Sequence, residues 1–70
     1  MEDVRIRFGK AIRKRRKRLG LSQEEFADKC ALDRSYMGGI ERGERNVSLV
    51  NIRKVAGGLG ISLSELFRGI

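Results

Sequence analysis

Seventy residues contain no proline, and three glycines, Gly20, Gly43 and Gly60, are each followed within five residues by a serine. This punctuation constrains the fold more than any other feature. Glycine ends a helix by taking the left-handed cap conformation, and serine opens the next by accepting a hydrogen bond from an amide that has no partner in the helix. Ser22 with Glu25 adds the S-x-x-E pattern, in which each side chain satisfies the other residue's amide. Asp33 follows the break Ala31-Leu32 and is a further N-cap. No run shows the alternation of a strand. The expected fold is all-α, a compact domain of five short helices over 3–19, 22–30, 34–42, 48–59 and 62–68, with one domain spanning 1–70.

Helical spacing selects the inward faces. Phe8, Ala11, Ile12, Arg15 or Arg16, and Leu19 share a stripe on the first helix, and Phe26, Ala27 and Cys30 share one on the second. Met37 and Ile40 follow on the third, Leu49, Ile52, Val55, Ala56 and Leu59 on the fourth, and Leu63, Leu66 and Phe67 on the fifth. A chain of this size is near the lower limit at which a hydrophobic core alone holds a fold. No window has the apolar length of a membrane span, and MEDVRIRFGK lacks the apolar run of a secretory leader, so the cytoplasm is the expected location. With one cysteine and no histidine there is no internal disulfide, and neither a metal site nor a cofactor is expected. An enzyme is equally unexpected: there is no glycine-rich phosphate loop and no second group to activate Cys30, which reads as core.

Charge points to a partner class. The net charge is +7, and nine of the sixteen basic residues lie in the first twenty positions, most of them in KAIRKRRKRLG. A chain with this balance is attracted to polyanions. For the run itself, a solvated helix face and a binding surface are both open.

The segment SQEEFADKCALDRSYMGGIERG resembles the helix-turn-helix of the Xre family, the Cro and phage-repressor type of DNA-binding domain. Gln23 opens the second helix, small Ala27 sits where the two helices cross, Leu32 fills the turn, and Met37 and Ile40 anchor the third helix. The resemblance continues through NVSLVNIRKVAGGLGISLSELF and covers about residues 8–67. The family usually has glycine where this chain has Ala31, so a left-handed Ala31 is strained by about 1 kcal/mol, or the turn differs. Within the family, LDRSYMGGIERGERNVSL is similar to the controller proteins of bacterial restriction-modification systems. That resemblance implies a homodimeric transcription regulator, acting at its own operator to time a restriction endonuclease relative to its methyltransferase. The alternative is an antitoxin-type autorepressor of a toxin-antitoxin operon. A membrane-surface peptide would leave four of the helices unexplained.

The resemblance implies roles for particular residues. In a helix of this type the N-terminal residues lie nearest the base edges of the major groove, which makes Arg34, Ser35 and Tyr36 the candidate readers. Arg34 can fork onto guanine O6 and N7; for Tyr36, a place in the core is also open. Gly38 and Gly39 follow one turn later, and each costs roughly 1 kcal/mol of helix propensity relative to alanine. Their expected return is close approach of the backbone to DNA, which puts Gly39 in the reading surface; close packing inside the protein is the other reading. Gln23, Arg45, Asn46 and Lys17 are candidate phosphate contacts on double-stranded DNA. Arg16 and Glu41 are expected to form a structural ion pair, and Val47, Val50, Ile61 and Leu63, with Ile70, a dimer patch. Glu24, Glu25 and Asp28 are possible contacts for RNA polymerase, or ordinary solubilising charges.

Overall fold

The computed structural model describes residues 2–70 as a succession of five helices: α1 (Val4–Arg18), α2 (Gln23–Lys29), α3 (Arg34–Glu41), α4 (Leu49–Leu59) and α5 (Leu63–Phe67). Each helix starts one residue after a capping side chain. Asp3 accepts from the Arg5 amide at 2.8 Å, Asp33 from the Tyr36 amide at 3.2 Å, and Ser48 and Ser62 from the amides of Asn51 and Glu65. Ser22 and Glu25 form the reciprocal capping box, at 3.1 and 2.8 Å. Where the expected spans are a residue longer than the helices, the extra residues are caps; Asp3, Ser22, Ser48 and Ser62 have extended backbone and lie just outside.

The first four helices end by the same device. One amide bonds back to the third-last helical carbonyl, or to the fourth-last in α4, and the amide before it bonds to the next carbonyl along, which closes the helix around a left-handed residue. In α1 these bonds are Leu21 to Arg16 and Gly20 to Lys17; in α2 they are Leu32 to Ala27 at 2.9 Å and Ala31 to Asp28 at 3.1 Å. Glycine holds the left-handed position after α1, α3 and α4, and Ala31 holds it after α2 with φ 58°. The turn between α2 and α3 therefore keeps the geometry that glycine favours and carries the strain of an alanine.

The core comprises Phe8 and Ile12 of α1, Phe26 and Ala27 of α2 with Cys30, Met37 and Ile40 of α3, Val55 and Ala56 of α4, and Leu66 of α5. Full burial of a side chain such as Phe26, Ile12 or Met37 contributes about 1.5–3 kcal/mol. Four expected core positions, Leu19, Leu49, Leu63 and Phe67, are exposed instead. Leu19 is 48% exposed because it is the C-cap of α1, past the end of the stripe. Leu49 is 72% exposed because it is the first residue of α4, one turn ahead of the part that crosses the core. Phe67 is also partly exposed, with its ring stacked on Phe8 at 5.6 Å between centroids.

α3 packs against both α1 and α2. Its contact with α1 depends on Gly9, where an added Cβ would collide with the Ile40 carbonyl oxygen and lie 2.7 Å from that of Glu41. α4 approaches α2 through Gly58, where a Cβ would meet the Cys30 sulfur. Backbone passes closest to backbone at Gly9 and at Gly43, where a Cβ would lie 2.8 Å from the Ile6 Cα, whereas Gly58, Gly38 and Gly39 face side chains.

Candidate nucleic-acid interface

Behind α3, the Arg16 guanidinium donates to Glu41 through two prongs, Nε to Oε2 at 2.7 Å and Nη2 to Oε1 at 3.0 Å. Its remaining nitrogen, Nη1, donates to the Leu21 carbonyl at 2.8 Å, and Gln23 Nε2 donates to Glu41 Oε1 at 3.1 Å. The two charges are almost fully buried, with side-chain exposures of 10% and 2%. Three guanidinium nitrogens and both carboxylate oxygens have partners, which is the condition under which a buried ion pair is tolerated. The network joins the end of α1, the turn after it, the start of α2 and the end of α3.

That clamp places the N-terminus of α2 beside the outer face of α3. Gln23, Arg34, Ser35, Gly38 and Arg42 line a shallow concavity of about 210 Å³. Arg34 and Ser35 are exposed at the start of α3, held there by the Asp33 cap. Arg42 stands two turns beyond Arg34 on the same side, and its guanidinium is forked onto Glu44 at 3.0 and 3.2 Å. This bond raises the Arg42 pKa and holds the Glu44 carboxyl below the usual carboxylate range. Arg42 is absent from the expected site residues, although its spacing of eight from Arg34 was visible in the sequence.

Gly38 and Gly39 are buried, and side chains of the protein itself cover them. A Cβ on Gly38 would lie 3.0 Å from Arg42 Nη1 and 3.4 Å from Gln23 Oε1; one on Gly39 would lie 2.9 Å from Arg45 Nε and 3.1 Å from its Cγ. The expected open approach to the backbone is thus closed in the free protein by two exposed arginines, which must swing aside for anything to reach it.

Tyr36 is half-buried and held on two sides. Asn51 of α4 donates to its hydroxyl at 3.1 Å, and the Arg45 guanidinium carbon lies 5.6 Å from the ring centroid, a cation–π geometry. The ring packs against the core, so only part of the side chain is exposed. Arg45, expected as a phosphate contact, and Asn51, which spacing did not single out, thereby act as supports. Arg45, Asn46 and Lys17 are exposed.

The apolar patch is smaller than the sequence suggests. Val47, Ile61 and Ile70 are partly buried and pack against the core, because the short helices leave gaps at its rim that these side chains fill. Val50 is 67% exposed and Leu63 37%, and the unexpected Leu49 extends the exposed set at the start of α4. Glu24, Glu25 and Asp28 are exposed on α2, where Glu25 is engaged in the capping box. No group of acidic, cysteine or histidine side chains among the described residues is arranged to hold a metal, and no helix there is long and apolar enough to cross a membrane.

Two helices joined by a tight turn, the second offering an exposed, cationic N-terminal face beside the N-terminus of the first, define a helix-turn-helix DNA-binding domain. Comparison with known proteins places the chain within that class. It belongs to the helix-turn-helix family, whose sequence profile matches residues 12–66, and it is a transcriptional regulator of the restriction-modification controller type. It is 56% identical over 71 residues to control protein C.MunI of a Mycoplasma species, covering 100% of this chain and 96% of that one. Control protein C.BamHI of Bacillus amyloliquefaciens is 43% identical over 65 residues, covering 91% and 80%. Among solved structures, the restriction-modification controller protein C.AhdI from Aeromonas hydrophila has a TM-score of 0.87 at 56% identity, covering 90% of this chain and 96% of that one. These similarities do not favour the antitoxin alternative.

Proposed function

We propose that this regulator binds its own operator as a homodimer, with one α3 in the major groove of each of two half-sites. The observation that carries this reading is the exposed Arg34–Ser35 pair at the start of α3, set beside Gln23 by the buried Arg16–Glu41 clamp. Arg34 forks onto a guanine, Ser35 takes a neighbouring base edge, and the exposed part of Tyr36 and the backbone at Gly39 complete the reading surface. Gln23, Arg45, Asn46 and Lys17 contact phosphates and fix register without reading sequence. Gln23 has one amide hydrogen engaged by Glu41, and its second remains for a phosphate.

One α3 spans only a few base pairs, so affinity for an operator comes from a second copy about one helical turn away. Val50 and Leu63, joined by Leu49, supply the exposed part of the dimer seam, and Val47 and Ile61 back it from the core rim. The site of action is DNA in the cytoplasm, and Glu24 and Asp28 face outward from α2 for a polymerase contact.

The test is binding to the chain's own upstream DNA and to scrambled DNA across a salt series, with Arg34→Ala alongside. The wild type should prefer the upstream sequence by 10³-fold or more. Arg34→Ala should lose about 1–3 kcal/mol of that preference and keep salt-dependent residual binding. Equal binding of both DNAs by both proteins overturns sequence reading by α3.

A further inference from the structure

The side of α1 that meets α3 is fixed by Phe8, Gly9, Ile12 and Arg16, all buried. At 3.6 residues per turn, Arg7, Lys14 and Arg18 project about 140–180° around the helix from Gly9, on the side away from α3. There α1 meets the C-terminal part of the chain: Arg7 donates to the Gly69 carbonyl at 3.1 Å and Arg15 to the Glu65 carbonyl at 3.2 Å. Two concavities run along this seam, of about 340 and 200 Å³, and they share Arg15 and Arg18. Their walls combine cations with apolar surface, Ala11, Leu66 and Ile70 in the larger and Leu19, Leu59 and Ile61 in the smaller.

The local carboxylates do not neutralise this face. Glu2 pairs with Lys10 at 2.7 Å and Glu65 with Arg68 at 3.1 Å, both on the surface. Arg7, Lys14, Arg15 and Arg18 have no carboxylate partner among the described residues. Leu19 remains 48% exposed beside two of them.

We infer that this groove docks an acidic polypeptide segment with apolar side chains, contributed by a partner protein, while α3 holds DNA. The cations attract the segment's carboxylates, and Leu19 and Leu59 accept its apolar side chains. A second DNA duplex fits less well. Phosphates have no use for the apolar walls, and the concavities are sized for side chains.

The test uses the protein bound to its own upstream DNA and a fluorescein-labelled peptide of four Glu-Leu-Asp repeats, read by anisotropy and by amide shifts in NMR. A peptide with serine in place of leucine and an unrelated twelve-base-pair duplex serve as competitors. At 0.15 M salt, charges more than about 8 Å apart are largely screened, which separates this face from α3. The leucine peptide should bind saturably without releasing the DNA and shift the amides of Lys14, Arg18, Leu19 and Leu59. Lys14→Gln with Arg18→Gln should weaken it tenfold or more and change upstream-DNA affinity less than threefold. The proposal is overturned if the serine peptide binds equally well, if the shifts centre on Arg34 and Gln23, if the duplex takes the groove in preference to the peptide, or if no saturable binding occurs.

Discussion

Arg16 of α1 and Glu41 of α3 meet through two hydrogen bonds of 2.7 and 3.0 Å in a site that leaves the Glu41 side chain 2% exposed. A pair buried to this degree is conditional: it is tolerated because its polar atoms are matched, and it becomes a liability when one partner is removed. Glu41→Gln should therefore cost about 3–5 kcal/mol, a large share of the 5–15 kcal/mol typical of a whole domain. Thermal unfolding followed by circular dichroism should show a fall in Tm of more than about 10 °C. Replacing both partners with apolar residues, Arg16→Met with Glu41→Leu, should recover most of the loss. A single variant that melts within about 4 °C of the wild type contradicts the clamp.

Two backbone substitutions should act in opposite directions. Ala31→Gly relieves a left-handed alanine that is strained by about 1–2 kcal/mol, against roughly 0.5–1 kcal/mol of extra unfolded-chain entropy, so stability should rise by up to about 1 kcal/mol. Gly9→Ala drives a methyl group into the Ile40 and Glu41 carbonyls, and separating α1 from α3 should cost about 1–3 kcal/mol or more. Urea titration of the two variants measures both. A destabilised Ala31→Gly would show that the turn gains nothing from glycine.

The helices were legible because their signals are local. Ser22, Asp33, Ser48 and Ser62 each cap a helix through an amide three residues ahead, and Gly20, Gly43 and Gly60 close helices within one turn. The close approaches at Gly9 and Gly58 were not, since the atoms that exclude a side chain there belong to other helices. Leu19 and Leu49 fit an apolar stripe by angle, but angle says nothing of where along its axis a helix leaves the core. For the site, Arg34 and Ser35 follow from a capped helix start, whereas the hold of Asn51 on Tyr36 joins residues fifteen apart through the packing of α4. The arginines lying over Gly38 and Gly39 were hidden for a related reason, because long side chains fold back onto space that a sequence pattern shows as empty.

The stability of the free protein should be flat between about pH 5 and 8, because the chain has no histidine. On the acid side, the Arg5 side chain and then its amide hold the Asp3 carboxyl down to about 2. The Ser22 amide and hydroxyl lower Glu25, and the Arg42 guanidinium lowers Glu44. Carboxyls depressed by folding contribute stability that is present above their ordinary values near 4 and is lost as pH falls toward 2. On the alkaline side, burial pushes the Cys30 thiol from 9.0 to about 11, so the unfolded chain releases that proton first and stability falls between those values. Unfolding midpoints measured across pH should show both limbs, and Cys30→Ala should flatten the alkaline one alone. An alkaline limb unchanged in that variant would assign it to other groups.

Gly38→Ala and Gly39→Ala separate helix propensity from access to DNA. At Gly38 the added methyl group meets the far end of the exposed Arg42 side chain, which can move, so the gain of about 1 kcal/mol in propensity should appear as stability. At Gly39 the methyl group displaces the middle of Arg45 and with it the guanidinium over Tyr36. That cation–π contact is worth about 0.5–1 kcal/mol at an exposed site, so the two effects should nearly cancel. Upstream-DNA binding should weaken in both variants, because the methyl group stays on the reading face after the arginine has swung away. Calorimetric stability and binding isotherms on the same preparations provide the comparison. A variant that binds with undiminished affinity would mean that the glycine at that position serves the arginine covering it and not the approach of DNA.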